Sequence, residues 1–217
     1  MALDKHINFF ELQKALEKPG CPLCRIISAR AERYIDNMLF EHISDRPFRA
    51  RHREAGGFCS EHSRFLDTFR DGLAVAILSR DILEDRIAAF EKNRLWTPRG
   101  YCPVCEERDC IEEEYLSFLA EAGGDNKEEV ELRTLFIASD GLCAPHYSGL
   151  LFGPKGKSRR PPSWLKEFHE KKFRDLKARV DQFIELSAYG RQEEFGRLSE
   201  EDKLVWKEAA QALRGMN

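Results

Sequence analysis

Apolar residues recur every three or four positions in four long segments of the chain, namely His6 to Glu17, Cys24 to about Glu41, Leu73 to Lys92 and Trp164 to about Ala188. This spacing places them on one face of a helix, whereas a half-buried strand requires apolar and polar residues to alternate. No segment alternates for long, although Thr134 to Ala138 fits a short strand as well as a helix. The pattern therefore predicts a mainly α-helical protein.

Shorter elements are predicted between these segments. An arginine-rich stretch from Arg46 to Ala55 leads into two glycines, and a further helix is predicted to begin near Cys59. From Gly153 to Pro162, three prolines, two glycines and four basic residues indicate an exposed linker. A last helix is predicted at Ser199, because its hydroxyl and the acidic residues that follow are typical of a helix N-terminus.

A cysteine and histidine pattern occurs twice and contains six of the seven cysteines. Each copy begins with Cys-Pro-x-Cys and ends with Gly-x-Cys-x-x-His, and the two parts are separated by 34 residues in one copy and 37 in the other. Such matched spacing indicates an internal duplication. We therefore expect a first helical repeat over residues 1–100, a second over residues 101–153, and a basic linker with C-terminal helices packed on the repeats over residues 154–217.

Each copy supplies three thiols and one imidazole, which is the ligand set of a closed four-coordinate metal site. Proline stiffens the turn between the first two cysteines, and a cysteine and a histidine three positions apart face one point when they lie on the first turn of a helix. The sequence predicts two structural zinc ions in Cys3His sites. The predicted ligands are Cys21, Cys24, Cys59 and His62 in the first copy, and Cys102, Cys105, Cys143 and His146 in the second.

Three alternatives to this interpretation stay open. An iron-sulfur cluster also uses cysteines followed by proline and accepts a histidine ligand, so the chain could be a redox protein or an enzyme. Cys-Pro-x-Cys also occurs in thiol-disulfide redox motifs, but these belong to a βαβ setting that the sequence lacks. Finally, each Cys-Pro-x-Cys could complete its site with the Cys-x-x-His of the other copy, although we take pairing within each copy as the working hypothesis.

Other candidate groups are isolated. Cys110 matches nothing in the first copy and is predicted to be a small buried residue. Glu61 could act as an acid or support the metal site, but Pro145 occupies the corresponding position. The remaining histidines share no spacing and are predicted to be surface or hydrogen-bonded residues, namely His6, His42, His52 and His169. No phosphate loop, serine nucleophile or zinc-protease motif occurs, and whether the protein is an enzyme stays open.

Charge and hydropathy restrict the partners. A net charge of -3 and a pI near 6.1 argue against a dominant nucleic-acid role. Residues 106–131 contain eleven acidic and two basic residues, whereas residues 154–180 contain ten basic and three acidic ones. The basic segment 155–179 could bind nucleic acid or another polyanion, but we favour a solvated face or a surface packed on the acidic repeat. We expect a protein partner. We also expect no membrane contact and a cytoplasmic location, because no signal peptide or long apolar run occurs.

The combination of CPLC, GFCSEH, CPVC and GLCAPH, with the aliphatic GLAVAIL segment between the copies, resembles an uncharacterised bacterial family known as a domain of unknown function. The resemblance covers roughly residues 15–150 and implies the same eight ligands. It implies no activity, because none is established for that family.

Overall fold

The computed structural model describes residues 5–69, 71–156 and 158–215, except for the side chains of Lys5, His6 and Lys155. Within these residues the regular structure is helical, and the one isolated pair of bridged extended residues joins Phe152 to Ser158. The predicted mainly α-helical class is therefore confirmed.

The described residues form eleven α-helices and two short 3-10 helices, which cover His62–Thr68 and Pro154–Gly156. The α-helices in chain order are α1 (Lys5–Leu16), α2 (Pro22–Glu41), α3 (Arg46–Ala55), α4 (Gly72–Glu91), α5 (Pro103–Glu121), α6 (Lys127–Ile137), α7 (Ala144–Leu151), α8 (Ser163–Leu186), α9 (Gln192–Gly196), α10 (Glu200–Lys203) and α11 (Val205–Arg214).

The long helices agree with the hydrophobic pattern, whereas two shorter elements differ from it. The ambiguous Thr134 to Ala138 belongs to α6, so the helical alternative was correct. Near Cys59 the chain turns and then forms a 3-10 helix from His62, where an ordinary helix was expected. Ser199 caps α10 as predicted, since its hydroxyl accepts the backbone N–H of Asp202 at 3.0 Å.

The chain folds as two compact units whose boundaries lie inside α2 and α5. One unit is the contiguous stretch Ile27–Glu112, and the other combines the chain up to Ile26 with the chain from Glu113 onward. We call them the contiguous unit and the two-ended unit. The division into residues 1–100, 101–153 and 154–217 stays a prediction about repeats, and the compact units follow other boundaries.

The contiguous unit has a core of apolar side chains from α2, α3 and α4, with Ile35, Met38, Phe48 and Leu78 among its buried members. Two parallel ion pairs join α3 to α4 beside this core. Arg49 donates two hydrogen bonds to Asp81, at 2.7 and 2.6 Å, and Arg53 donates two to Asp85, at 2.6 and 2.5 Å.

In the two-ended unit α1 packs on α6, α6 packs on α8, and α11 packs on both α7 and α8. Tyr115 and Phe136 are among its largest fully buried side chains. Arg179 of α8 holds the last helices by donating to Asp202 at 2.8 Å and to Glu208 at 2.7 Å.

Candidate metal centres

The eight predicted ligands meet in two groups, each of which could hold a metal ion. The four members of each group have ligand atoms that all lie within 4.8 Å of one another. Cluster A lies in the two-ended unit and cluster B in the contiguous unit. Cluster A contains Cys21, Cys24, Cys143 and His146, and cluster B contains Cys59, His62, Cys102 and Cys105.

This grouping differs from the working hypothesis of pairing within each copy, which was wrong. Each cluster takes its Cys-Pro-x-Cys from one copy and its Cys-x-x-His from the other. The alternative of exchanged ligands is therefore the arrangement found, and the same eight residues remain the predicted ligands.

Both Cys-Pro-x-Cys motifs form the first turn of a long helix. Cys21 directly precedes α2, Pro22 is its first residue, and Cys24 lies in its first turn; Cys102 and Cys105 have the same places at the start of α5. Proline fits at the first helical position because its missing N–H would have no partner within the helix. The positive end of the helix dipole favours thiolates at these positions.

The two Cys-x-x-His motifs also lie at helix starts. Cys143 is the N-cap residue of α7 and accepts the backbone N–H of Tyr147 at 2.8 Å, which places His146 in the first turn. In cluster B the carbonyl of Cys59 accepts the N–H of Ser63 at 2.8 Å, and His62 begins the 3-10 helix. In both motifs one helical turn therefore aligns the sulfur with the imidazole.

In cluster A the Nδ1 atom of His146 faces all three sulfurs. Its distances to the Sγ atoms are 3.3 Å for Cys21, 3.4 Å for Cys24 and 3.1 Å for Cys143. The sulfurs of Cys24 and Cys143 are 3.7 Å apart.

Cluster B repeats this geometry around Nδ1 of His62. The distances to the Sγ atoms are 3.2 Å for Cys59, 3.7 Å for Cys102 and 3.3 Å for Cys105. The sulfurs of Cys59 and Cys105 are again 3.7 Å apart.

These spacings fit the edges of a tetrahedron around one ion. Bond lengths of about 2.3 Å to sulfur and about 2.1 Å to nitrogen place two sulfurs about 3.8 Å apart, and a sulfur and a nitrogen about 3.6 Å apart. The sulfur to sulfur distances of 3.7 Å match this geometry, and the sulfur to nitrogen distances of 3.1 to 3.7 Å lie within about 0.5 Å of it. Both clusters can therefore hold a single tetrahedral ion with little movement.

The two clusters differ in exposure. All four side chains of cluster A are buried, whereas Cys59 of cluster B is only half-buried and its three partners are buried. Cluster B is therefore the less enclosed of the two at its Cys59 ligand.

Close packing of the ligands shifts their pKa values in opposite directions. Hydrogen bonds with Cys143 and Cys24 lower the pKa of the Cys21 thiol, and hydrogen bonds with Cys21 and Cys24 raise the pKa of Cys143. Burial alone would lower the pKa of His146, but hydrogen bonds with Cys21 and Cys24 outweigh it and raise that pKa to about 10. The buried group therefore shares protons among its members, and a bound cation would displace those protons.

His169 of α8 supports cluster A from outside the ligand set. Its Nε2 atom accepts the backbone N–H of Leu142 at 2.8 Å, so its Nδ1 atom carries the proton and donates to the carbonyl of Leu165 at 2.8 Å. Burial lowers the pKa of His169 to about 4, which keeps the ring neutral. The residue is hydrogen-bonded as predicted, and it fixes the backbone directly before Cys143.

Gly141 completes this support. Its φ is +61°, a conformation that favours glycine, and an added Cβ would lie 2.7 Å from Cε1 of Phe168 and 3.0 Å from Nε2 of His169. The glycine of the motif is thus required both by the turn and by the close approach of α8.

The other candidate residues lie outside both clusters. Cys110 is exposed, so its prediction as a buried residue was wrong, because its place on α5 faces solvent. Glu61 is exposed and lies 3.8 Å from Arg108 in an ion pair. His42 is 4.0 Å from Asp45, and the side chain of His6 lies outside the described residues.

His52 is buried, and neither of its ring nitrogens has a hydrogen-bond partner among the described residues. The prediction of a surface or hydrogen-bonded histidine was therefore wrong at this position. Sequence reasoning missed it because nothing in its spacing distinguishes an unpaired imidazole from a paired one.

The basic segment is largely neutralised by ion pairs. Six of its ten basic side chains lie within 4.0 Å of a carboxylate, and Lys155 and Lys157 have no described side chains. The six are Arg159, Lys166, Lys172, Arg174, Lys177 and Arg179. Arg159 contacts Glu113 of the acidic stretch, in agreement with the favoured interpretation.

Within the described part of the chain, none of the helices combines the length and the apolar character that crossing a membrane requires.

Comparisons with known proteins give similarity without an activity. The model of a family described as a family of unknown function (DUF6062) matches residues 4–99, which confirms the predicted resemblance to an uncharacterised family. An uncharacterized 23.9 kDa protein in the xynA 3' region of Caldicellulosiruptor sp. (strain Rt8B.4) is 29% identical over 100 residues, which cover 44% of this chain. The match spans about half of that relative, 49% of its length. No solved structure matches the chain.

Proposed function

We propose that the protein binds two zinc ions, one in each cluster, and that it serves as a zinc-stabilised interaction or regulatory module. The observation behind this proposal is that four ligand atoms in each cluster lie within 4.8 Å of one another. Three thiolates and one neutral imidazole fill all four positions of tetrahedral zinc. No position is left for a substrate or an activated water, so the ions have a structural role.

The same spacing argues against an iron-sulfur cluster. In a cluster with several irons the protein ligands are divided between different irons, so ligand atoms on different irons lie further apart than the edge of a single tetrahedron. In clusters A and B all four ligand atoms lie within 4.8 Å of one another, which favours one ion per site.

The proposed partner is another protein. Exposed apolar side chains along α4 support this, with Leu73 at 73%, Leu83 at 56%, Ile87 at 52% and Phe90 at 65% relative exposure. Exposed apolar side chains that lie together mark interaction surfaces in many proteins. Most of the described basic side chains in segment 155–179 are paired with carboxylates, which argues against a polyanion as the main partner.

Elemental analysis of the natively purified protein tests the metal. We expect a colourless protein with about two zinc ions per chain. A brown protein that absorbs near 400 nm and contains iron would reject the zinc proposal in favour of the iron-sulfur alternative.

Pairs of substitutions test the grouping of the ligands. Cys21→Ala with His146→Ala removes two ligands from cluster A alone, so one zinc ion should remain. Cys21→Ala with His62→Ala damages both clusters and should leave less than one. The opposite ranking would mean that the ligands pair within each copy.

A further inference from the structure

A second candidate site lies in the contiguous unit, in a cleft between the end of α3 and the middle of α4. Its volume is ≈ 310 Å³, which is in the range of small-molecule sites. The wall is mostly apolar and includes Phe58, Leu66, Val75, Ile82 and Leu83. Four of these five side chains are partly buried and Leu83 is exposed, so the cleft accepts an apolar body from the surface.

His52 forms part of the same wall and is only 3% exposed. Burial lowers its pKa to about 4, so at neutral pH the ring presents one N–H donor and one nitrogen acceptor. Neither nitrogen has a partner among the described residues, and Phe58 stacks edge-on against the ring at 4.8 Å. His169 is equally buried but has a partner for each nitrogen, so an unpaired imidazole is a particular feature of the cleft.

Arg86 supplies a cation to the cleft. Its guanidinium carbon lies 4.6 Å above the centre of the Trp96 ring, which holds the side chain in one orientation. Nearby Arg49 and Arg53 are bound to carboxylates, whereas no described carboxylate lies within 4.0 Å of Arg86. A planar guanidinium in this state is suited to bind a carboxylate of a ligand.

We propose that this cleft binds a small apolar carboxylic acid that also carries a hydroxyl group. The hydrocarbon body fills the apolar wall, the carboxylate pairs with Arg86, and the hydroxyl hydrogen-bonds to one ring nitrogen of His52. A plain hydrocarbon would leave His52 and Arg86 unpaired. A polyphosphate would need more cations than this wall presents.

Binding of 4-hydroxycinnamate to the natively purified full chain tests the proposal, because this probe has an aromatic body, a carboxylate and a hydroxyl. Cinnamate, which lacks the hydroxyl, is the matched probe. We expect saturable binding of 4-hydroxycinnamate with a Kd below about 1 mM, a shift of the His52 ring ¹⁵N resonances, and weaker binding of cinnamate.

Three variants separate the contributions. His52→Phe should weaken binding of 4-hydroxycinnamate up to about tenfold and leave cinnamate nearly unchanged, since one neutral hydrogen-bonded group is lost. Arg86→Met should weaken both probes by about tenfold or more. Arg80→Met is the control, because Arg80 lies on the same helix, is paired with Glu84 and does not line the cleft.

The stability of the ligand-free protein distinguishes a ligand-binding His52 from a His52 that only stabilises the fold. Replacing an unpaired buried imidazole with an apolar ring removes an unsatisfied polar group, so His52→Phe should raise the urea midpoint of the ligand-free protein. Loss of stability in His52→Phe, equal binding by His52→Phe and the native chain, or no saturable binding would each overturn the proposal. Because zinc content is measured separately, these outcomes do not depend on the proposed metal function.

Discussion

At the scale of single residues, cluster A depends on groups that do not touch the metal position. Gly141 and His169 shape the turn that ends at Cys143, the first through its positive φ and the second through its bond to the N–H of Leu142. Outer contacts of this kind hold ligands in place and tune their affinity for metal.

Gly141→Ala should therefore destabilise the protein more than a glycine replacement without close neighbours. Gly190 is the matched control, since its φ is +91° and an added Cβ would meet nothing within 4 Å. Both variants bear the strain of a left-handed residue, and Gly141→Ala also forces Cβ into Phe168, at an additional cost of about 1 to 3 kcal/mol. Urea unfolding of the zinc-loaded variants measures the difference, and equal losses would mean that the approach of α8 is unimportant.

At the scale of elements, the ion pairs between α3 and α4 differ in burial but share one geometry. Asp81 has a side chain that is 6% exposed, whereas that of Asp85 is 30% exposed. Hydrogen bonds from Arg49 lower the pKa of Asp81, and hydrogen bonds from Arg53 lower that of Asp85. A screened pair contributes less than a pair with a buried carboxylate.

Double-mutant cycles with alanine at Arg49 and Asp81, and at Arg53 and Asp85, should give unequal coupling energies. We expect about 1.5 to 3 kcal/mol for the first pair and about 0.2 to 1 kcal/mol for the second. Denaturant unfolding of the four variants in each cycle measures both values. A second coupling as large as the first would show that burial does not control these contacts.

At the scale of the whole chain, the clusters are nested in sequence. Cluster A joins Cys24 to Cys143, which are 119 residues apart, and cluster B joins Cys59 to Cys105, 46 residues apart and inside the first loop. Pairing within a copy would instead close a loop of 35 residues, from Cys24 to Cys59. The entropy cost of closing the 119-residue loop is only about 1 kcal/mol larger than that. Structural zinc in small peptides contributes about 10 to 16 kcal/mol, so loop entropy does not prevent this nesting.

Zinc bound as we propose should leave the two clusters at different rates. Cys59 is half-buried, whereas every ligand of cluster A is buried, so a chelator has easier access to cluster B. We expect two phases when an excess of 4-(2-pyridylazo)resorcinol removes the metal, the first from cluster B.

Single-cluster variants assign the phases. Cys102→Ala should abolish the fast phase and Cys143→Ala the slow one. If Cys143→Ala removed the fast phase instead, exposure of Cys59 would not determine the order of release.

Much of the site could be predicted from the sequence. The residue types and their spacing determined all eight ligand candidates, because two residues three positions apart on a first turn face one point whatever the rest of the fold does. The long helices were likewise predicted by apolar periodicity. The surroundings of Cys110 and His52 were not, because exposure and hydrogen bonding depend on which other elements pack beside them.

The sequence by itself therefore determined the helical class and the ligand chemistry, and the tertiary structure alone decided which motifs share a site. The physical reason is the path of the chain. From Cys24 to Glu41, α2 runs for 18 of its 20 residues, or about 27 Å, whereas Cys24 and Cys143, 119 residues apart, come together through packing between helices that are distant in sequence. In both clusters the Cys-Pro-x-Cys of one copy is completed by the Cys-x-x-His of the other, a pairing that no local spacing determines.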